Sequence, residues 1–193
     1  SRAGEAIGEP ITFTTSDAIS LNEAGVFSSL MGSNLYEYTS LTLSGPMNGD
    51  DLNCLRKMMG QNDDGTTSPG KLSSIDMTEV QIVAGGGSYG SSRYTEDHVI
   101  GQGLFANCTR LEKVSLPANA TTLEKDAFTG CTSLKEIEIP ASLVSILPSS
   151  GCTALERINI SGANANYKSQ DGVLLNENGT EIVWFPMGKK GEY

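Results

Sequence analysis

Apolar positions in the second half of the chain recur at a spacing of about 22 residues. Three stretches align without gaps: Cys108-Thr-Arg-Leu-Glu-Lys-Val-Ser-Leu116-Pro117, Cys131-Thr-Ser-Leu-Lys-Glu-Ile-Glu-Ile139-Pro140 and Cys152-Thr-Ala-Leu-Glu-Arg-Ile-Asn-Ile160. Each ends in aliphatic residues at alternate positions, the signature of a short strand with one buried face. The leucine three residues earlier also turns inward, and proline after the strand removes a ladder donor and ends it. Phe105 and Phe128 stand three residues before two of the cysteines. One such turn cannot offset the ordering of its own backbone. Stacked turns share a parallel ladder and one another's apolar faces, so the pattern predicts an array of stacked parallel short strands. Weaker copies are Leu72-Ser-Ser-Ile-Asp-Met77 and Leu41-Thr-Leu43; Ile182-Val-Trp-Phe-Pro186 is a further candidate, its Phe-Pro standing where Ile139-Pro140 stands.

These residues resemble the BspA-type leucine-rich repeats of bacterial surface proteins. Phe128-Thr-Gly-Cys-Thr-Ser-Leu-Lys-Glu-Ile-Glu-Ile-Pro140 carries the resemblance most directly. Asn166–Asn176 and Phe185–Tyr193 are similar to the hairpin insert of that family, and the front half is similar to its N-terminal region. The resemblance implies a leucine-rich-repeat solenoid of α/β type dominated by strands, with an N-terminal cap containing short helices. It implies export to the cell surface or secretion and adhesion or other binding to protein or glycan ligands. It carries no catalytic residues. The third full repeat departs from the pattern, reading Leu147-Pro-Ser-Ser150 where the second has Ala127-Phe128.

Along the chain, residues 1–70 read as lead-in and cap, and residues 71–193 as the repeat region with a C-terminal β-hairpin, all on one continuous core. Residues 1–20 read as an extended lead-in. Within the cap the pattern predicts a short helix near Glu23–Met31, a strand at Thr39–Leu43 and a helix at Asp50–Met59, closed by Gly60. Residues 61–70 are a loop by composition, and Gly85–Asp97 is a long loop. Asn178-Gly179 marks a hairpin turn between Val173–Asn176 and Thr180–Phe185.

Charge narrows the partners. The 193 residues carry a formal net charge of -10, and 13 of the 23 acids but only 5 of the 13 bases fall in residues 1–100. No basic stripe offsets this, so nucleic acid is not expected as a partner and anionic lipid is a poor one. No apolar run reaches the length of a membrane span, so membrane insertion is not expected. The first residues lack an apolar signal core, which reads as an export signal already removed.

Candidate chemistry is sparse. The evenly spaced Cys108, Cys131 and Cys152 lack the close pairs of a zinc site and read as buried free thiols at a recurring corner. Gly85-Gly-Gly-Ser-Tyr-Gly90 lacks the Lys-Ser/Thr of a phosphate loop and reads as a flexible connection. His98, the single histidine, lies beside Glu96 and Asp97 with no nucleophile in a suitable context. Asn62, Asp64 and Gly65 could begin a calcium loop, but its last position would be Lys71, where a glutamate is required. No cofactor and no metal is expected.

What remains is a binding surface. Stacking places Lys113, Glu136 and Arg157 in one exposed row of alternating sign, which favours the register. Aromatic anchors for a ligand are expected on the long loop, at Tyr89 and Tyr94, or at Tyr36 and Tyr38. Tyr89, Tyr94, Lys113, Glu136 and Arg157 are thus the candidate ligand-binding residues. The function expected is a non-catalytic binding module of an exported or cell-surface protein. A structural spacer within a longer repeat protein is the alternative, and an enzyme of unknown type the distant one.

Overall fold

A computed structural model describes residues 17–191. In chain order the elements are β1 (Asp17–Ser20), α1 (Phe27–Met31), β2 (Ser40–Met47), α2 (Gly49–Met58), β3 (Ser74–Ile82), β4 (Gly85–Gly90), β5 (Arg93–Thr95), β6 (Val99–Ile100), β7 (Lys113–Ser115), β8 (Thr122–Leu123), β9 (Glu136–Pro140), β10 (Ser145–Ile146), β11 (Arg157–Ser161), β12 (Tyr167–Gln170), β13 (Val173–Asn176) and β14 (Ile182–Trp184). A single 3-10 turn, Gly32–Asn34, follows α1.

The frame is a six-stranded parallel sheet in the order β1-β2-β3-β7-β9-β11. Each full repeat contributes one strand to it. A second parallel sheet, β10-β8-β6, takes a two-residue strand from each successive turn. The result is a repeat fold dominated by strands. The registered positions Ile75, Val114, Ile137 and Ile158 all point inward and are at most 1% exposed. Leu72, Leu111, Leu134 and Leu155 each precede those registered strands by the same offset, and all four are fully buried.

The turns repeat as faithfully as the strands. The amides of Cys108 and Cys131 donate to the carbonyls of Phe105 and Phe128, and those of Leu111, Leu134 and Leu155 donate to the carbonyl of the cysteine three residues back. The second and third cysteines then reach the turn before them: Cys131 Sγ donates to Phe105 O at 3.0 Å and Cys152 Sγ to Phe128 O at 3.2 Å. At these two corners the thiol supplies a bond that an alanine could not. Phe105 and Phe128 stack face to face, with centroids 4.9 Å apart and planes 7° from parallel. In the third repeat Ser149 stands where that column would continue. Its hydroxyl accepts from Phe128 N at 2.9 Å, replacing the backbone carbonyl of Ala127 that serves Phe105 N one turn earlier.

The front of the chain shares the core, which runs from Leu21 to Trp184 as one cluster of buried residues. α2 starts at a capping box, Asn48 and Asp51 each bonding the other's backbone amide region. Asp51, 1% exposed, also accepts from Gly25 N at 2.6 Å and Phe27 N at 2.9 Å, tying α1 to α2. Two helices therefore occur where the sequence predicts them. Strand β2 runs four residues further than predicted, because Gly45–Met47 continue to pair with Val80–Ile82.

Of the extended lead-in, residues 1–16 lie outside the described residues, and Asp17–Ser20 is a parallel strand on β2. Two expectations need correction. Gly85–Asp97 is not a long flexible loop; β4 and β5 form an antiparallel hairpin that packs on α2. Gly49, the first residue of α2, permits the approach, since a Cβ there would collide with the carbonyl of Gly87. Ile182–Phe185 is not a further rung of the parallel ladder. It pairs antiparallel with β13, which in turn pairs with β12, because the Asn176–Thr180 turn folds it straight back. Asn164 anchors this sheet by donating to Ala141 O and Leu143 O of the preceding turn.

Three outcomes are expected from this packing. Ser149→Ala leaves the buried Phe128 amide without an acceptor and should cost about 1–3 kcal/mol, read as a lower urea midpoint at unchanged slope. Burial pushes the thiols up from their ordinary 9.0, Cys152 and Cys54 to about 11 and Cys108 to about 12, and raises Cys131 further with help from its two cysteine neighbours. Above pH 9 the unfolded chain therefore releases protons that the folded chain retains, so stability is complete below pH 9 and falls as pH rises from 9 towards 12. Urea midpoints across that range should decline. At pH 8 a thiol reagent should modify the cysteines only once denaturant is present.

Candidate functional site

Two surfaces combine polar side chains on a rigid support. The first is the outer face of the parallel sheet. Register places Ser74, Lys113, Glu136 and Arg157 in one row, so the predicted alignment of the three charges is observed. The predicted ion pairing along it is not. Glu136 Oε1 accepts from Asn159 Nδ2 at 2.8 Å instead, and the alternating pair forms one position earlier, between Lys135 Nζ and Glu112 Oε2 at 2.7 Å. The hydrogen bond from Lys135 to Glu112 raises the lysine pKa. The adjoining row is Thr42, Asp76, Ser115, Glu138 and Asn159, with Ser115 Oγ donating to Glu138 at 3.3 Å. This face largely satisfies itself.

The expected aromatic anchors are elsewhere, and one is withdrawn from solvent. Tyr89 is 2% exposed, not an exposed loop residue; its hydroxyl donates to Gln102 O at 3.1 Å, and burial raises its pKa. The alternation of β4 turns Tyr89 towards the core, because β4–β5 is a packed hairpin. Tyr94, on the next strand, is 63% exposed. The structure thus groups Lys113, Glu136 and Arg157 but separates them from both tyrosines.

The second surface went unread in the sequence. A cleft of about 380 Å3 opens between the loop after α2, the β4–β5 turn and the turn ends of two successive repeats. Its lining includes Arg56, Arg93, Asn62, Asp63, Asn107 and Asp126. Arg56 sits on the buried face of α2 and is 7% exposed. Its Nη1 donates to Gly103 O at 2.9 Å and to Leu104 O at 2.6 Å, while its Nε is buried without a hydrogen-bond partner among the described residues. Arg93 is half-buried, and its guanidinium lies over Gly103: a Cβ there would stand 2.7 Å from Nη1. The equivalent position one repeat later is Asp126. Both residues take the left-handed conformation the turn requires, at φ +68° and +61°. Glycine at the first of them gives the second arginine its place.

A signal for this cleft was present. Leu52, Leu55 and Met59 define the apolar stripe of α2, and Arg56 falls within it; a cation on a core-facing stripe needs a reason. What the spacing could not give was Arg93, delivered by a hairpin that read as a loop. The remaining motifs carry no site. The amide of Gly87 is already taken by Asp50 Oδ1 at 3.0 Å, a carboxylate where a phosphate would need to be. Asp64 turns its carboxylate onto Thr66, whose hydroxyl and amide lower its pKa. Among the described residues no group of three or more His, Cys, Asp or Glu side chains could hold a metal. His98 is exposed at a left-handed turn, with its backbone bonded to Ile82 and Thr121.

Among curated proteins none matches the chain. Among solved structures it is similar to a leucine rich cell surface protein from Faecalibacterium prausnitzii A2-165, at 22% identity and a TM-score of 0.43, covering 79% of this chain and 33% of that one. It is also similar to the pneumococcal vaccine antigen PcpA, at 17% identity and a TM-score of 0.36, covering 81% and 38%. The chain therefore spans well under half the length of either. Residues 96–180 match the family described as BspA type leucine rich repeat region, in 6 copies, and this part of the chain is a BspA-type leucine-rich-repeat region.

Proposed function

We propose that the chain is a non-catalytic recognition module of a protein displayed at the cell surface or secreted, and that it binds its ligand in the Arg56–Arg93 cleft. In this reading the repeat region from residue 71 onward forms a short solenoid, the described part of residues 1–70 caps its first turn, and the two hold the cleft between them. The observation that carries the proposal is the cleft itself, an open polar cavity whose walls come from three separate elements fixed on one core. A cavity of this volume suits small ligands or projecting parts of larger ones. The outer face of the sheet is the weaker candidate, because its side chains bond one another. All four cysteines are buried with raised pKa values, so no thiolate is poised as a nucleophile. The family of the repeat region supports an interaction role.

The test is an array of matrix proteins and glycans probed with the protein and two variants. Arg93→Ala should weaken retention of the captured ligand by about tenfold or more, the effect of losing one good contact. Lys113→Ala with Arg157→Ala, on the outer face of the sheet, should leave it unchanged. The converse result would move the site to the sheet, and an array that captures nothing would remove the recognition reading.

A further inference from the structure

Buried cations in proteins are paired with carboxylates. Here two guanidiniums share one wall, both against Gly103, in a chain of net charge -10. Among the described residues the ion pairs are Lys57–Asp63, Lys71–Glu37 and Lys135–Glu112, so neither Arg56 nor Arg93 has a carboxylate partner. Acidic groups are at hand but engaged. Asp63 is held by Lys57 at 3.3 Å, and Asp126 Oδ1 accepts from the Thr129 hydroxyl at 3.0 Å. The Nη1 bonds explain how Arg56 joins α2 to the first full repeat. They do not explain why Nε is left buried and unpartnered, nor why the repeat drops the side chain at position 103 to admit a second cation.

We propose that the cleft binds a saccharide bearing a carboxylate, with the acid group received beside Arg56 and Arg93. An arginine fork matches the two oxygens of a carboxylate better than any other anion donor in the chain. The rest of the lining selects what carries it. The Asn107 amide and the Asp126 oxygen not bonded to Thr129 face the cleft, and they suit a ring with several hydroxyl donors. Asp63 and Asp126 oppose a ligand with many negative charges, such as an acidic peptide or an inorganic phosphate. Ala106 is the largest apolar side chain in the cleft, so aliphatic and aromatic ligands find no surface to cover.

The proposal rests on the recognition reading, and the experiment separates the two. Isothermal titration at millimolar concentration compares glucuronic acid and N-acetylneuraminic acid with their methyl esters, with glucose, with inorganic phosphate and with an Asp/Glu peptide. The free acids should bind about tenfold or more tightly than their esters and glucose. Arg93→Ala, at the more exposed arginine, should abolish that preference, and Arg93→Lys should restore part of it; circular dichroism confirms that both variants fold. Affinity should fall as salt rises. Esters or glucose binding as well as the acids would overturn the carboxylate while leaving recognition intact. Tighter binding of phosphate or the peptide, lost in Arg93→Ala, would overturn the saccharide. No binding of either acid would overturn the inference, and the array above then decides whether recognition itself survives.

Discussion

A turn of 21 or 23 residues with one strand of three or five has no interior of its own. Its leucine and alternate aliphatics are covered only when the next turn presents the same residues at the same height. Parallel register supplies that condition: Val114, Ile137 and Ile158 pair position for position, and every inward side chain is thereby roofed by its copy. A slip of one residue would turn each aliphatic outward and each Glu or Lys inward. The register is held from several sides at once, by the ladder, by the leucine column, by the stacked phenylalanines and by thiols bonded to the preceding turn.

The same constraint explains the departures from the repeat. Where Phe128 is followed by no third phenylalanine, a buried amide would be orphaned, and Ser149 supplies a hydroxyl in place of both the ring's turn and its carbonyl. The turn that receives Arg56 differs from the next one for a comparable reason. It must accept a helix and a hairpin, so Gly103 gives up its side chain and the carbonyls of Gly103 and Leu104 turn to Arg56. The cleft arises at that junction, where periodic structure meets non-periodic structure and perfect self-satisfaction ends.

By itself the sequence determined the period, the inward positions, the buried thiols, the helix of Gly49–Met58 and the Asn-Gly hairpin. Each of these depends on residues within one turn or on the comparison of one turn with the next, and such patterns are written along the chain. It also indicated that Lys113, Glu136 and Arg157 share a row, because identical spacing implies identical register. It did not indicate that Glu136 would bond Asn159, since which of several nearby partners a side chain takes depends on ångström-scale geometry.

Tertiary structure alone decided the rest. Gly85–Thr95 looks like a loop because glycine has low strand propensity. It is a strand pair because it docks on α2, where Gly49 leaves room for the carbonyl of Gly87, and that docking buries Tyr89 and exposes Tyr94. The meeting of Arg56 with Arg93, 37 positions apart, follows from that docking and from nothing periodic. Repeats announce their own geometry because each turn is a template for the next, whereas a junction between unlike elements has no second copy to compare.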